Sequence, residues 1–213
     1  QRVKEFMNFY ITSVMEEYTP EFDQMLFYLP LAGSTFKKVY YDENLDRAVS
    51  KFIPAEDLVV PYSTSDLETC PNITHVVKMS LNDLRKRQLS GFYRDIPVIP
   101  AQGESSSVKE ELERIDGMYP SNVDYDCTLL ECHVDLDLEG FEEEDEEGDA
   151  TGIRVPYVVT ISQDNGQVLS IRRNYKEEDE KKKKIQYFVH YKFLPGFGFY
   201  GLGLIHTIGG LSR

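Results

Sequence analysis

The sequence predicts an α+β fold, with helices gathered at the amino end and a mostly antiparallel sheet after them. Three observations predict it. Residues 3 to 18 and 22 to 29 place apolar side chains at helical spacing, the segments from 127 onward alternate with a period of two, and Asn165-Gly166 separates two of those segments as a tight hairpin would.

The elements follow in order. Val3, Phe6, Met7, Tyr10, Ile11, Val14, Met15 and Tyr18 form one apolar stripe and predict a single first helix. Thr19 is placed to cap a second helix, with Pro20 at its first position, Phe22, Met25, Leu26 and Leu29 on its buried side, and Pro30 and Gly33 ending it. Two such helices cannot bury both stripes unaided, so they are expected to pack on a sheet or on a neighbouring subunit. Segments 35–41 and 47–53 flank Asp42 to Asp46 as a hairpin, and 73–79 is a strand leading into a helix opened by Ser80, assisted by Asp83, and closed by Gly91. A linker containing Pro and Ser (97–107) precedes a short helix with Ser107 and Glu110 as its capping box and Gly117 at its end. Strands are then expected at 127–138, 153–162, 167–174 and 185–193.

In the last strand Ile185, Tyr187, Val189, Tyr191 and Phe193 read as the buried face, and Gln186, His190 and Lys192 as the wet one, with Phe188 breaking the pattern. Gly196, Gly198, Gly201 and Gly203 follow, permitting unusual backbone angles or close approach of another backbone, and mark a candidate hinge. Leu202, Ile205, Ile208 and Leu211 then return to helical spacing. The expected organisation is one α+β domain over 1–196, helical over 1–33, mixed over 34–120 and β-rich over 121–196, followed by the hinge and the start of a further helix over 197–213. Gln1 and Arg213 interrupt helical patterns, so the chain reads as a segment of a longer polypeptide.

Composition tolerates a substantial core: 41% hydrophobic residues over 213 positions is ordinary, and a chain of this size buries roughly 70% of its unfolded surface. Cys70, Cys127 and Cys132 are odd in number and lack CxxC spacing, which favours reduced thiols. No apolar run approaches the roughly 20 residues of a membrane span, so a soluble protein without membrane contact is expected. The net charge of -14 is concentrated between Glu139 and Asp149, where eight acids and no base occur. Such polarity argues against a surface that wraps DNA, which needs Lys and Arg.

Four constellations bear on function. Gly196-Phe197-Gly198-Phe199-Tyr200-Gly201 matches GxGxxG between a strand and a helix, but it follows hairpins and does not open a βαβ unit. Glu131, His133, Asp135 and Asp137 form a polar row opposite Leu130, Cys132, Val134, Leu136 and Leu138, and solvent exposure accounts for that row better than a metal does. The acidic segment containing Glu142, Glu143, Glu144, Asp145, Glu146 and Glu147 lacks calcium-loop spacing and is a candidate partner contact. The run from Glu177 to Lys184 nets to zero and reads as a charged connection. No catalytic motif, metal site or cofactor site is expected.

Residues 185–213, with EFDQMLFYLPLAGSTFKKVYYD (21–42), FIPAEDLVVPYS (52–63) and TLLECHVDLDLEGFE (128–142), resemble portal proteins of short-tailed, podovirus-type bacteriophages. The resemblance runs from about Glu21 to Arg213. It implies a structural virion protein and not an enzyme: the wing region and first stem helix of a ring of about twelve subunits, the head-tail connector through which double-stranded DNA is packaged and ejected without sequence-specific binding. It also implies the major capsid protein, the terminase motor and the tail adaptor as partners, a place at the capsid vertex of the virion, and assembly in the host cytoplasm. Two alternatives stay open: a β-rich ligand- or metal-binding module, and a nucleotide-binding enzyme domain using Gly196 to Gly201.

Overall fold

The chain forms two compact units, one discontinuous (1–73 with 175–213) and one contiguous (74–174). The structure, a computed structural model, describes residues 1–42, 45–98, 126–142 and 150–209.

The first unit is built on three antiparallel strands, β1 (Ser34–Asp42), β2 (Arg47–Pro54) and β8 (Phe188–Lys192), which lie in the order β2-β1-β8. Register runs from Thr35 opposite Pro54 to Asp42 opposite Arg47, and from Ser34 opposite Lys192 to Lys38 opposite Phe188. One sheet face carries Phe36, Ile53 and Phe188, which pack with Leu58, Leu67, Ile73 and Phe199 into an apolar cluster. The last strand therefore inverts the expected faces: Phe188 is buried and His190 stacks on Phe36, whereas Val189 and Phe193 are exposed. Alternation misleads here because the apolar cluster lies on the Phe188 face, while helix α2 (Tyr18–Ala32) packs on β1 and β2 and leaves Val189 of the last strand exposed.

The predicted first helix is broken in two. Helix α1 (Arg2–Phe9) passes into a π-helical turn (Tyr10–Val14), and Met15 leaves the helical region before α2 begins. The Thr12 hydroxyl donates to the Asn8 carbonyl at 2.7 Å, a back-bond that loosens the ladder, and Met15 N–H reaches the Tyr10 carbonyl. Helix α2 is preceded by Glu17, so Thr19 lies within its first turn and is not the cap; it also runs through Pro30 and stops at Gly33, whose φ of 82° is left-handed.

Three acceptors of the helical arm meet the outer edge of β2, where alternate N–H groups have no neighbouring strand. Ala48 N–H donates to Tyr10 Oη (2.9 Å), Ser50 N–H to Glu17 Oε1 (3.4 Å) and Phe52 N–H to Glu21 Oε2 (2.6 Å). Arg47 pairs with Glu17 at 2.5 Å. Burial opposes the Glu17 charge, yet main-chain hydrogen bonds and Arg47 hold its carboxyl below the ordinary value. Beneath this arm Lys37 is only 3% exposed, its ammonium 4.4 Å from the Tyr18 ring centroid and 5.2 Å from that of Phe22. Burial lowers its pKa, and Glu21 and Glu17 oppose that shift.

The second sheet is formed by β3 (Leu58–Val59), β4 (Asn72–Ser80), β5 (Asp126–Leu136), β6 (Val155–Ser162) and β7 (Val168–Arg173), in the order β3-β4-β5-β6-β7; β5, β6 and β7 belong wholly to the second unit. Helix α3 (Leu81–Leu89) starts as predicted, with Ser80 Oγ accepting from Asp83 N–H, and Gly91 at φ 76° ends it. Leu84, Tyr93, Cys127, Leu129 and Leu169 form its core with Met79. The 107–117 helix and most of the 97–107 linker lie outside the described residues. Asn165-Gly166 does not make the two-residue turn: Ser162 N–H bonds the Gln167 carbonyl, the loop between them has four residues, and only Gly166 takes positive φ. Asn165 instead accepts from Gln167 N–H through its side chain.

Replacing Glu21 with Ala leaves the Phe52 N–H without its charged acceptor and should lower unfolding free energy by about 1.5–3 kcal/mol, measured by urea denaturation. Amide exchange at Phe52 should accelerate with it; an unchanged exchange rate would show that the carboxylate does not hold this edge.

Candidate functional site

The glycine-rich stretch folds into a closed loop. Leu194 and Leu202 bond to each other in both directions, Leu194 N–H to the Leu202 carbonyl at 3.3 Å and the reverse at 2.8 Å. The loop between them sends Phe199 back into the first core, 5.9 Å from Phe36 and 4.6 Å from His190 between ring centroids. Ser34 anchors it: its Oγ accepts from Gly201 N–H at 2.7 Å and lies 3.1 Å from His190 Nε2.

Two glycine segments cross here with backbone against backbone. A Cβ on Gly203 would fall 2.1 Å from the Leu31 carbonyl oxygen, one on Gly201 would fall 2.5 Å from that of Gly33, and one on Gly33 would fall 2.4 Å from Gly203 N. Gly196 is also tight, with the Tyr200 carbonyl 2.4 Å from its missing Cβ, whereas Gly198 faces open space. Gly196, Gly201 and Gly203 are thus needed for close approach, one of the two uses expected of them; none of the four has positive φ. Gly203 precedes the short α4 (Leu204–Ile208), which packs on α2.

The chemistry of the junction is that of an anchor. Ser34 is 1% exposed, and His190 sits between Phe36 and Phe199. Burial first, and the Lys192 charge second, push the His190 pKa down to about 4, so the imidazole is neutral near neutral pH. Strand β8, which leads into the loop, is antiparallel to β1, so the GxGxxG match does not sit on the parallel βαβ crossover that cradles a pyrophosphate.

The other candidates separate. In β5 the expected exposed row is only half exposed: Asp135 and Asp137 face solvent, but His133 is 3% exposed and its Nε2 lies 2.8 Å from a Glu131 carboxylate oxygen. Leu129, on the same face, is in the core, and Leu130, Cys132, Val134 and Leu136 on the other are half-buried. Leu129 claims this face for the core and His133 is buried along with it, while the same face opens to solvent from Asp135 onward. Of the acidic segment, Glu142 accepts from Gly140 N–H at 2.7 Å, and Glu143, Glu144, Asp145, Glu146 and Glu147 lie outside the described residues. In the Glu177 to Lys184 connection Asp179 accepts from Lys181 and Lys183 N–H, while Lys184 Nζ leaves the surface to reach the Cys70 carbonyl at 2.7 Å. Among the described residues no three His, Cys, Asp or Glu side chains converge as a metal site would require.

Sequence reasoning missed Ser34 and His190 as partners of the glycine loop; the only local signal was a serine directly after the helix-ending Gly33. Comparison with protein-family models gives no match, and comparison with curated proteins gives no significant one.

Gly201→Ala and Gly203→Ala should each destabilise the fold by about 2 kcal/mol or more, while Gly198→Ala should be neutral to within about 0.5 kcal/mol; thermal unfolding of the three variants distinguishes them. His190 has a folded pKa below its ordinary 6.5, so the unfolded chain binds the proton first and stability falls as pH drops from about 6.5 to about 4. His190→Gln should flatten the stability–pH curve over that range.

Proposed function

We propose that the chain is the wing segment, with the start of the stem, of a ring-forming phage portal subunit of the podovirus type. The observation that supports this most is an apolar helical surface left bare on the first unit. Helix α1 buries none of its residues, and Val3, Phe6 and Phe9 on it are exposed. Phe27 on α2 is 72% exposed and Ile205 on α4 is 63% exposed, with Leu26, Leu31 and Ile208 beside them in sequence also open. Large apolar side chains left open on three helices of one unit suit an interaction surface, and a closed ring supplies every copy with the same partner.

In this reading the glycine crossing ties the start of the stem to the end of α2, and the wing sets the direction in which the stem helix leaves. Capsid protein, packaging motor and tail adaptor are the partners, DNA passes the ring without base-specific contacts, and ATP hydrolysis belongs to the motor. The place of action is the portal vertex of the virion. No described helix is long and apolar enough to cross a membrane.

Native mass spectrometry and electron microscopy of the protein should give a ring of about twelve subunits. Phe27→Asp with Ile205→Asp should return it to monomers whose circular dichroism is unchanged. A wild-type monomer at micromolar concentration would sink the proposal.

A further inference from the structure

The chain has a net charge of -14, yet three arginines of the second unit form no ion pair with a carboxylate among the described residues. Their neighbours on and just after α3 are paired in the ordinary way, Arg85 with Asp95 and Lys86 with Asp83. Among the described residues no carboxylate lies within ion-pair distance of Arg87, Arg94 or Arg172. All three gather about the turn that follows α3.

Arg172 is fixed at this turn twice. Its guanidinium carbon lies 3.5 Å from the Phe92 ring centroid, and its Nη2 donates to the Phe92 carbonyl at 3.1 Å. Arg87 approaches the rings of Phe92 and Tyr93 at 5.5 and 5.9 Å. The turn itself is pinned to β7 by Arg94 N–H donating to the Leu169 carbonyl at 2.9 Å, and to α3 by Gln88 Nε2 donating to the Ile96 carbonyl at 2.8 Å. Between turn and strand runs an open groove of about 430 Å³, lined by Phe92, Tyr93, Arg94, Ser170 and Arg172 among others, with no carboxylate or amide side chain in its wall.

We propose that this groove binds a phosphate group, gripped by the guanidinium groups of Arg172 and Arg94 with the Ser170 hydroxyl as a further donor. A guanidinium lying on an aromatic ring keeps its edge N–H groups free, and a planar fork matches two oxygens of a phosphate. Because Phe92 fixes the Arg172 side chain before any ligand arrives, less rotamer freedom is lost on binding. The wall offers donors and cations and no carboxylate to repel an anion, which suits a group that accepts hydrogen bonds. The phosphate can belong to a small phosphorylated molecule or to the backbone of a nucleic-acid strand. The inference stands on the second unit alone and does not depend on ring formation.

The test is a titration of the full chain at low salt with three probes: pyrophosphate, a fluorescent single-stranded oligonucleotide, and polyglutamate of matching charge. Binding of either phosphate probe, weakened roughly tenfold or more in Arg94→Gln/Arg172→Gln and in Phe92→Leu, supports the site. The oligonucleotide alone would identify a strand, and pyrophosphate would identify a small molecule. Arg172→Lys should recover only a fraction of the affinity, since it restores charge without the fork. The proposal is overturned if neither phosphate probe binds, if the double variant binds as the wild type does, or if polyglutamate binds as tightly as the phosphate probes.

Discussion

The unsatisfied edge of β2 is the constraint on which the first unit depends. A strand at the margin of a sheet presents a row of N–H groups that must find acceptors or invite another chain. Here the acceptors are side chains, from Tyr10, Glu17 and Glu21, spaced along the helical arm to meet Ala48, Ser50 and Phe52. That arrangement dictates the rest. It lays α2 over Lys37, whose buried ammonium is left to the faces of Tyr18 and Phe22 and to the two glutamate charges. It also fixes where α2 ends, which places Gly33 against Gly201 and Gly203.

The junction at Gly33 and the groove at Phe92 use opposite chemistries for the same end, the fixing of one segment against another. At the junction, absence of side chains lets two backbones touch, and one buried hydroxyl holds the loop by Gly201. At the groove, large side chains do the positioning: an arginine rests on a phenylalanine and is tethered to that residue's own carbonyl. A charge placed in that way stays exposed and oriented, whereas the neighbouring Arg85 and Lys86 are spent on Asp95 and Asp83.

Features that depend on nearby residues were legible in the sequence. Ser80 and Gly91 bound α3, the 35–41 and 47–53 hairpin forms in register, and the helices-then-sheet order gives the α+β class. Features settled by distant contacts were not. Tyr10 and Ala48 are 38 residues apart and Ser34 and Gly201 are 167 apart, so no local pattern announces either bond. Periodicity named the strands β5 and β8 but misassigned their faces, since the buried side is set by where distant core residues pack, as Phe36 and Phe199 do on Phe188 and His190. The glycine cluster was read correctly as a place of close backbone approach, but what approaches, the end of α2, lies far back in the chain. Phe92 and Arg172, 80 residues apart, fall in the same class.

The discontinuity of the first unit imposes an order of events on folding. Strand β1 pairs with β2 locally, but its other neighbour, β8, and the Phe199 plug arrive only after the whole of 74–174 has been made. Joining these pieces closes a loop of roughly 100 residues, an entropic cost of about 4 kcal/mol that shrinks if the intervening unit has already collapsed and brought its two ends together. During synthesis the β1 edge from Ser34 to Lys38 therefore waits bare, next to Phe36 and Ile53 without the part of their cover that Phe188 and Phe199 supply. The inserted unit acts as the clasp of the outer one, and its speed of folding sets how long that sticky hairpin stands open to other nascent chains.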